Sequence, residues 1–196
     1  IKSTPSSIKI IAINDASTDA EVSDVLNSFA EVQNLDVYTN DDNLGFSGTV
    51  NRGFSLANKT DVIILNSDTV VSPGWVSNLK IKAYSNPKIA TVTPLSNNAG
   101  PFSVAKQSSS RDSNHIQKLL NSIDCTEHFE KIQEMPTGHG FCLYIKSKAF
   151  EIVGYFDQAN FPRGYGEEND FCMRLKKKQL INTIDTKTYV YHAEAA

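Results

Sequence analysis

The stretch VIILNSDTVV, residues 62–71, decides the fold, because four apolar residues, Val62 to Leu65, run into Asn66, Ser67 and Asp68 before the chain turns apolar again. A continuous run this short suits a strand buried on both faces, as in a parallel sheet covered by helices; a half-exposed strand would alternate. The polar end of such a strand lies at the carboxyl edge of the sheet. Ligands of open α/β sheets collect there, since loops converge beyond the strand ends and leave a crevice. Asp68 is therefore a candidate ligand-holding residue.

Working outward, IKIIAI at 8–13 is a candidate strand ending at Asn14 and Asp15, and NDASTD supplies turn and cap residues before a helix over roughly 20–30. LDVYT at 35–39 reads as a strand. Val50, Phe54 and Ala57 then recur at helical spacing, with Ser47 a candidate cap. Strand, helix, strand, helix, strand is βαβ alternation, and the crossover rule predicts neighbouring parallel strands with helices on the faces. Pro73, Gly74 and Trp75 open a helix to about Tyr84, with Trp75 a core residue, and IATVTP is the next strand. Ser96 to about Asn114 reads as a polar surface loop and HIQKLLNSI as a short helix. FCLYI at 141–145 is strand-like, SKAFEIV is helical and stops at Gly154, and EENDFCMRLKKKQ is an amphipathic helix with Phe171, Cys172 and Leu175 on one face. TYVYH, 188–192, closes as a strand. The expectation is a single α/β domain over residues 1–196.

With 40% hydrophobic and 21% charged residues, a chain of 196 is long enough for one domain with a substantial core. A net charge of −3 gives no global attraction to polyanions, and the one dense basic run, Lys176 to Lys178, is too short to make nucleic acid a partner. Cys125, Cys142 and Cys172 contain no C-x-x-C pair, so neither a disulfide framework nor a zinc site is indicated and a reducing compartment fits. No apolar run approaches bilayer length and no leader-like segment opens the chain, which reads as soluble. IKSTPSS offers no usable helix or strand, as if the chain were cut there.

Three candidate strand-end groups carry acids or amides: Asn14/Asp15, Asn66/Asp68 and Glu167/Glu168. A hard divalent cation, Mg²⁺ or Mn²⁺, prefers oxygen ligands and needs only one or two carboxylates when a diphosphate supplies the rest. Asp68 fits that partial site, although an Asp in this position can also simply cap the helix near Pro73 or fill a turn.

NDASTD, NLGFSGTVNRGFSLA, VIILNSDTVVSPGWVSNL, TGHGFC, FDQANFPRGYGEENDFCMRL and YVYH, in this order, resemble family 2 of the nucleotide-sugar glycosyltransferases, especially rhamnosyltransferase-like bacterial members. The resemblance implies the GT-A fold, a Rossmann-like and mostly parallel central sheet with helices on both faces, and a metal-dependent hexosyl- or rhamnosyltransferase. Family members open with a strand that this chain lacks, so the sheet would miss a central member and the donor site a wall.

Asp15 matches the acidic residue that contacts the donor nucleoside, or else caps a helix. Asn43, Gly45 and Asn51 resemble the nucleotide-side loop. Asn66-Ser67-Asp68 matches the metal-binding D-x-D position with Asn first, so only Asp68 would bind the cation and Asn66 would touch ribose or phosphate. In GYGEENDFCMR, Glu168 occupies the position of the acid that takes the acceptor proton, with Glu167 and Asp170 as neighbours that could be drawn in. The charge pattern alone is also that of acids complementing a helix N-terminus. His192 matches a further metal or phosphate ligand, though a lone His is more often structural, and Gly138, His139 and Gly140 resemble the acceptor-side loop.

The implied reaction is a single displacement with inversion, from a nucleoside-diphosphate sugar to a hydroxyl of a glycan or lipid-linked saccharide, in bacterial surface polysaccharide or glycoconjugate synthesis. The implied location is the cytoplasm, with peripheral association of the full-length protein at the inner face of the membrane. A catalytically weak or inactive nucleotide-sugar- or glycan-binding domain of the same fold is the alternative. A dinucleotide-dependent enzyme is disfavoured, because no G-x-G-x-x-G follows the first strand.

Overall fold

The structure, a computed structural model, describes residues 2–104 and 132–193. Its elements are β1 (Ile10–Asn14), α1 (Ala20–Asn27), β2 (Leu35–Thr39), α2 (Gly45–Leu56), β3 (Val62–Leu65), β4 (Thr69–Val71), α3 (Trp75–Tyr84) and β5 (Ile89–Leu95). A 3₁₀ turn at Gly100–Phe102 is followed by β6 (Glu134–Met135), β7 (Cys142–Ile145), α4 (Ser147–Val153), α5 (Glu167–Lys177) and β8 (Ile181–His192).

The local rules read from the sequence operate at several ends. Asp19, not Asp15, caps α1, its carboxylate accepting from the Glu21 N–H at 2.9 Å. Gly154, at φ +74°, terminates α4. Ser47 does not cap α2: it lies inside the first turn and its hydroxyl donates to the Phe161 carbonyl. Pro73 stands before Gly74, which enters α3 at φ +82°.

The sheet is mixed rather than mostly parallel. β1 and β2 pair in parallel as a sheet of two, while a sheet of six runs β3-β7-β5-β8-β4 with β6 on β8. Within it only β5 and β8 are parallel; β3–β7, β5–β7, β4–β8 and β6–β8 are antiparallel. The crossover rule governs strands that follow one another through a helix. β7 instead enters between β3 and β5 from late in the chain, running the opposite way. β2 and β3 are likewise not neighbours, and among the described residues β1 and β3 each have one paired edge.

β7 is the strand buried on both faces, a role the sequence assigns to β3, whose Val62 to Ile64 are half-buried and Leu65 exposed. Alternation along β7 builds two cores. Cys142 and Tyr144 face Trp75, Val76, Leu79 and Ala83 of α3 with Val92 and Phe102. Leu143 and Ile145 face Phe54 of α2, Ala149 of α4 and Phe171 and Leu175 of α5. Helices therefore cover both faces, and each fully buried Phe or Leu contributes about 2 kcal/mol. Trp75 is core, as expected.

Three elements went unread or were cut short. β4 and β6 are short, and β8 begins seven residues before TYVYH, at Ile181. Register breaks at Pro94/Leu95, where Pro94 faces Asp185 and Leu95 faces Tyr189. Asp185 closes this irregularity by accepting from the Lys187 N–H (3.0 Å) and the Thr188 hydroxyl (2.6 Å). The expected loop from Ser96 is folded at its start: Ser96 bridges Ser103, and Ala99 and Phe102 are buried. Its remainder, the helix expected at HIQKLLNSI and Cys125 lie outside the described residues. Among the described residues no helix is long and apolar enough to cross a membrane.

Asp61, before β3, pins β3, α3 and α4 together. Its carboxylate accepts from Tyr144 (2.6 Å), Tyr84 (2.8 Å) and the Ser147 N–H (2.8 Å). Burial opposes the charge, but these hydrogen bonds outweigh it and hold the Asp61 carboxyl below the ordinary range. A depressed carboxyl contributes stability above its unfolded pKa and loses it as pH falls through the folded one. Asp61→Asn is expected to cost about 2 kcal/mol at pH 7 and to flatten the acid limb of a stability–pH curve, measured by urea unfolding below about pH 4.

Candidate active site

Asp68 lies in the turn between β3 and β4. The turn is held by the Asn66 N–H on the Phe141 carbonyl (2.9 Å), the Thr69 hydroxyl on the Asn66 carbonyl (2.6 Å) and the Ala193 N–H on the Asp68 carbonyl (2.9 Å). Asp68 therefore neither caps α3 nor stands alone. Antiparallel pairing puts His192 opposite Thr69, and His192 Nε2 lies 3.4 Å from Asp68 Oδ2. His192 Nδ1 is 2.8 Å from the Asn98 carbonyl, which can only accept, so Nδ1 carries a proton and Nε2 is the atom turned to the carboxylate. An imidazole oriented by a backbone carbonyl is the usual state of a metal ligand, and the pair offers one nitrogen and one carboxylate to a cation. Among the described residues no three His, Cys, Asp or Glu side chains gather as a complete metal site. The second layer escaped the sequence reading: Asn97 grips the His192 backbone both ways, accepting from its N–H and donating to its carbonyl, each at 2.8 Å. The signal was the amide pair following β5.

From His192 a series of rings leads toward α5. His192 stacks on Phe141 (centroids 5.3 Å, 24°), and Phe141 meets His139 edge-on at 5.4 Å. The His139 backbone N–H reaches Thr93 Oγ1 (3.2 Å), and the neighbouring Gly138 N–H donates to Cys172 Sγ on α5 (3.2 Å). Gly138 is required here, since a Cβ would meet Leu143 Cδ1 at 2.5 Å. Burial lowers the His139 pKa, while the Glu168 carboxylate works the other way and His192 adds to the lowering. Burial also pushes the Cys142 and Cys172 thiols up, Cys172 to about 11, which leaves both as inert packing.

Glu167, Glu168 and Asp170 begin α5 but do different things. Asp170 is committed to Arg174 (2.7 Å), whose guanidinium also holds the Val153 and Tyr155 carbonyls. Glu167 is buried and Glu168 half-buried, and each has one buried carboxylate oxygen without a hydrogen-bond partner. Burial and the adjacent Glu168 carboxylate push Glu167 up to about 7. The lack of solvent and the neighbouring charge thus favour the protonated form of Glu167.

The nucleotide-side candidates form a scaffold. Asp15 Oδ1 accepts from Asn40 Nδ2 (2.7 Å) and the Leu44 N–H (2.8 Å), joining β1, β2 and the start of α2. Burial opposes its charge, but these contacts prevail and lower its pKa. Asn43 bridges the Asp15 carbonyl and the Gly45 N–H. Asn51 pairs both ways with the Phe156 backbone, donating at 2.9 Å and accepting at 3.0 Å. Gly45, at φ +70°, packs so closely that a Cβ would lie 2.2 Å from the Pro162 carbonyl oxygen. Gly45 and Asn51 thus dock the loop at 156–162 onto α2.

A mixed sheet with helices on both faces and its acids at the strand ends is the GT-A architecture of glycosyltransferases. The chain belongs to glycosyl transferase family 2, whose profile matches residues 1–153. A low-salt glycan biosynthesis hexosyltransferase, Agl10 of Haloferax volcanii, is 26% identical over 143 residues, covering 70% of this chain and 45% of that protein. The chain thus spans less than half of that relative's length. Among solved structures, GalNAc-T7 with UDP, GalNAc and Mn²⁺ matches at a TM-score of 0.72, 15% identity and 97% of this chain against 39% of its own. The Pyrobaculum calidifontis mannosyltransferase PcManGT with GDP-Man and Mn²⁺ matches at 0.66, 15% identity and 96% against 49%. S. aureus TarS with UDP-GlcNAc matches at 0.62, 13% identity and 98% against 52%.

Two outcomes follow from this geometry. Gly45→Ala is expected to lower stability by about 2–3 kcal/mol in denaturant unfolding, through strain at positive φ and the clash with residue 162. Glu167 carries a raised pKa, so its ionisation removes stability as pH rises from about 4.3 towards 7. Glu167→Gln is expected to abolish that decline, read as Tm across the same pH range.

Proposed function

We propose that the protein transfers a sugar, a hexose or rhamnose, from a nucleoside-diphosphate donor to a hydroxyl of a glycan or lipid-linked saccharide. The observation that supports this reading is the Asp68–His192 pair at 3.4 Å, from which the rings of Phe141 and His139 continue to Gly138, whose N–H donates to Cys172 Sγ on α5. Structural relatives solved with UDP, GDP-Man and UDP-GlcNAc, two of them with Mn²⁺, support a nucleotide-sugar donor. Asp68 and His192 would hold Mg²⁺ or Mn²⁺, which supplies positive charge to a departing diphosphate. Asn66 lies beside them for ribose or phosphate, and Asp15 and Asn43 line the nucleoside side, their backbone fixed by the contacts above.

Glu168 is the base in this reading. The acceptor O–H gives its proton to the Glu168 carboxylate while the oxygen bonds to the anomeric carbon and the bond to the diphosphate breaks, with inversion. A hydroxyl cannot attack unaided near pH 7, and a positioned base supplies about 10²–10⁴ in rate. Glu167 stands beside it, its own carboxyl pushed up to about 7 by burial and by the Glu168 charge. For the whole protein we propose a role in surface polysaccharide or glycoconjugate synthesis at the cytoplasmic face of a membrane.

Asn66 at the first metal position and Glu in place of the shorter acid at 168 favour, as a second reading, a domain that binds without turnover. Glu168→Gln separates the two. It is expected to reduce transfer or donor hydrolysis, screened over UDP- and GDP-sugars, by about 100-fold or more, while a thermal shift with nucleoside diphosphate and Mn²⁺ stays intact. Asp68→Ala is expected to remove the Mn²⁺-dependent part of that shift. Undiminished turnover in Glu168→Gln overturns the assignment of the base.

A further inference from the structure

The strand ends away from Asp68 carry lysines. Pairing of Ile145 with both Val62 and Thr91, and of Ile89 with Ile181, brings the start of β3, the end of β7 and the starts of β5 and β8 to one edge. Lys88 precedes β5, and its carbonyl accepts from the Ile181 N–H at 2.9 Å. Lys148 begins α4 directly after β7, Lys176 to Lys178 close α5, and Lys59 stands two residues before Asp61. All six are exposed, and among the described residues none of them is in an ion pair. The acid in their midst, Asp61, is committed to Tyr84, Tyr144 and the Ser147 N–H. Helix electrostatics accounts only for the cations that end α5, which complement its C-terminus. Lys148 does the reverse, since it places a cation in the first turn of α4, and Lys59 and Lys88 lie outside any helix.

Exposed apolar side chains stand at the rim of this surface. Ile81 and Tyr84, near the end of α3, are 70% and 58% exposed, and the Tyr84 ring lies 4.7 Å from Lys146 Nζ. The opposite end of the same elements is acidic: Asp68 follows β3, and Glu167 and Glu168 open α5, about 16 Å from its last residue. Hydrated, flexible ammonium groups suit the diffuse negative charge of a lipid headgroup layer, and an amphipathic Tyr beside an Ile suits its boundary with the acyl chains. The six cations are all Lys, without the planar Arg forks that grip the discrete phosphates of nucleic acids. We propose that this lysine-bearing end of the sheet docks the protein on an anionic lipid surface, with the strand ends that carry Asp68 and the start of α5 facing away from the bilayer. Repulsion of the acidic end from the same surface fixes the orientation. The docking does not depend on the transferase reading; under that reading, it places the acceptor hydroxyl clear of the headgroups.

The probes are vesicles of phosphatidylcholine alone and of phosphatidylcholine with one-third phosphatidylglycerol, cosedimented with the full chain. Binding is expected to the second kind only, and to fade as salt rises from about 0.05 to 0.5 M and the Debye length shrinks. Lys176→Gln, Lys177→Gln and Lys178→Gln combined are expected to weaken it about 100-fold, at about fivefold for each lysine. Lys59→Gln, Lys88→Gln and Lys148→Gln combined leave the end of α5 untouched and are expected to give the same loss at an unchanged Tm, whereas Arg at all six positions retains binding. Ile81→Ser is expected to weaken it as well. The thermal shift with nucleoside diphosphate and Mn²⁺ is expected to be equal in all these proteins; its absence throughout, with vesicle binding intact, sinks the donor reading and leaves the docking standing. No binding to the anionic vesicles at low salt, equal binding to both kinds, or parental binding by either triple variant overturns the proposal. Tighter binding of an RNA oligomer or of polyglutamate than of the vesicles overturns it too, by assigning the surface to a soluble polyanion or an acidic protein. A salt-sensitive dimer in sedimentation velocity does the same, by assigning it to the acidic end of a second copy.

Discussion

The amide of Asn51 is the joint on which the rest of the molecule depends. It exchanges both its hydrogen bonds with the backbone of Phe156, deep in a contact that brings α2 against the loop leading to α5. α2 also packs under β1, where Gly53 admits Ile13, so one helix links the sheet of two to the sheet of six. The half-buried amide also donates to Gln158 Oε1 at 3.1 Å, so each end of it is satisfied by the loop at 156–158. Ser47 and Gly45 extend the same seam by contacts to residues 161 and 162. The nucleoside-side scaffold and the acid-bearing helix are therefore positioned by one interface.

Electrostatically the two ends of the candidate site are opposites. Asp68 is a partly exposed carboxylate facing the imidazole Nε2, a negative group that favours positive charge beside it. Glu167 is a buried acid beside another, an arrangement that retains a proton. Low dielectric around the second pair amplifies any charge that appears there, and placement at the rigid start of α5 fixes its direction. His139 and Phe141 lie just ahead of β7, a strand buried along its whole length, so their placement is set by the core.

Much of this was legible in the residues. β2, α4 and the apolar face of α5 fall where periodicity places them, because each element's own burial pattern matches its sequence pattern. The failures have physical causes. Val62 to Leu65 and Cys142 to Ile145 are both short apolar runs, and nothing local says which of them lies at a sheet edge; partner strands decide that. The first half of β8 carries Asn182, Thr183 and Asp185, polar residues that look like loop until their buried partners are seen, such as Thr91 on Asn182 at 2.8 Å. Asn51 resembled a ligand contact because an amide that closes on a backbone a hundred residues away leaves no local trace. Asp68 and His192 could be named separately, but their meeting depends on the β4–β8 ladder.

That ladder has a dimension beyond side-chain identity. Between Asp185 and Tyr189 the last strand spends extra residues as it leaves β5 and joins β4, so the facing of everything after the irregularity is a matter of count. Adding or removing a single residue there would invert the alternation of the terminal stretch, swinging the imidazole of residue 192 to the reverse side of the ribbon and turning Val190 out of the core it now fills. Chain length at one small kink thus acts as a spacer that sets on which face the end of the last strand presents its side chains.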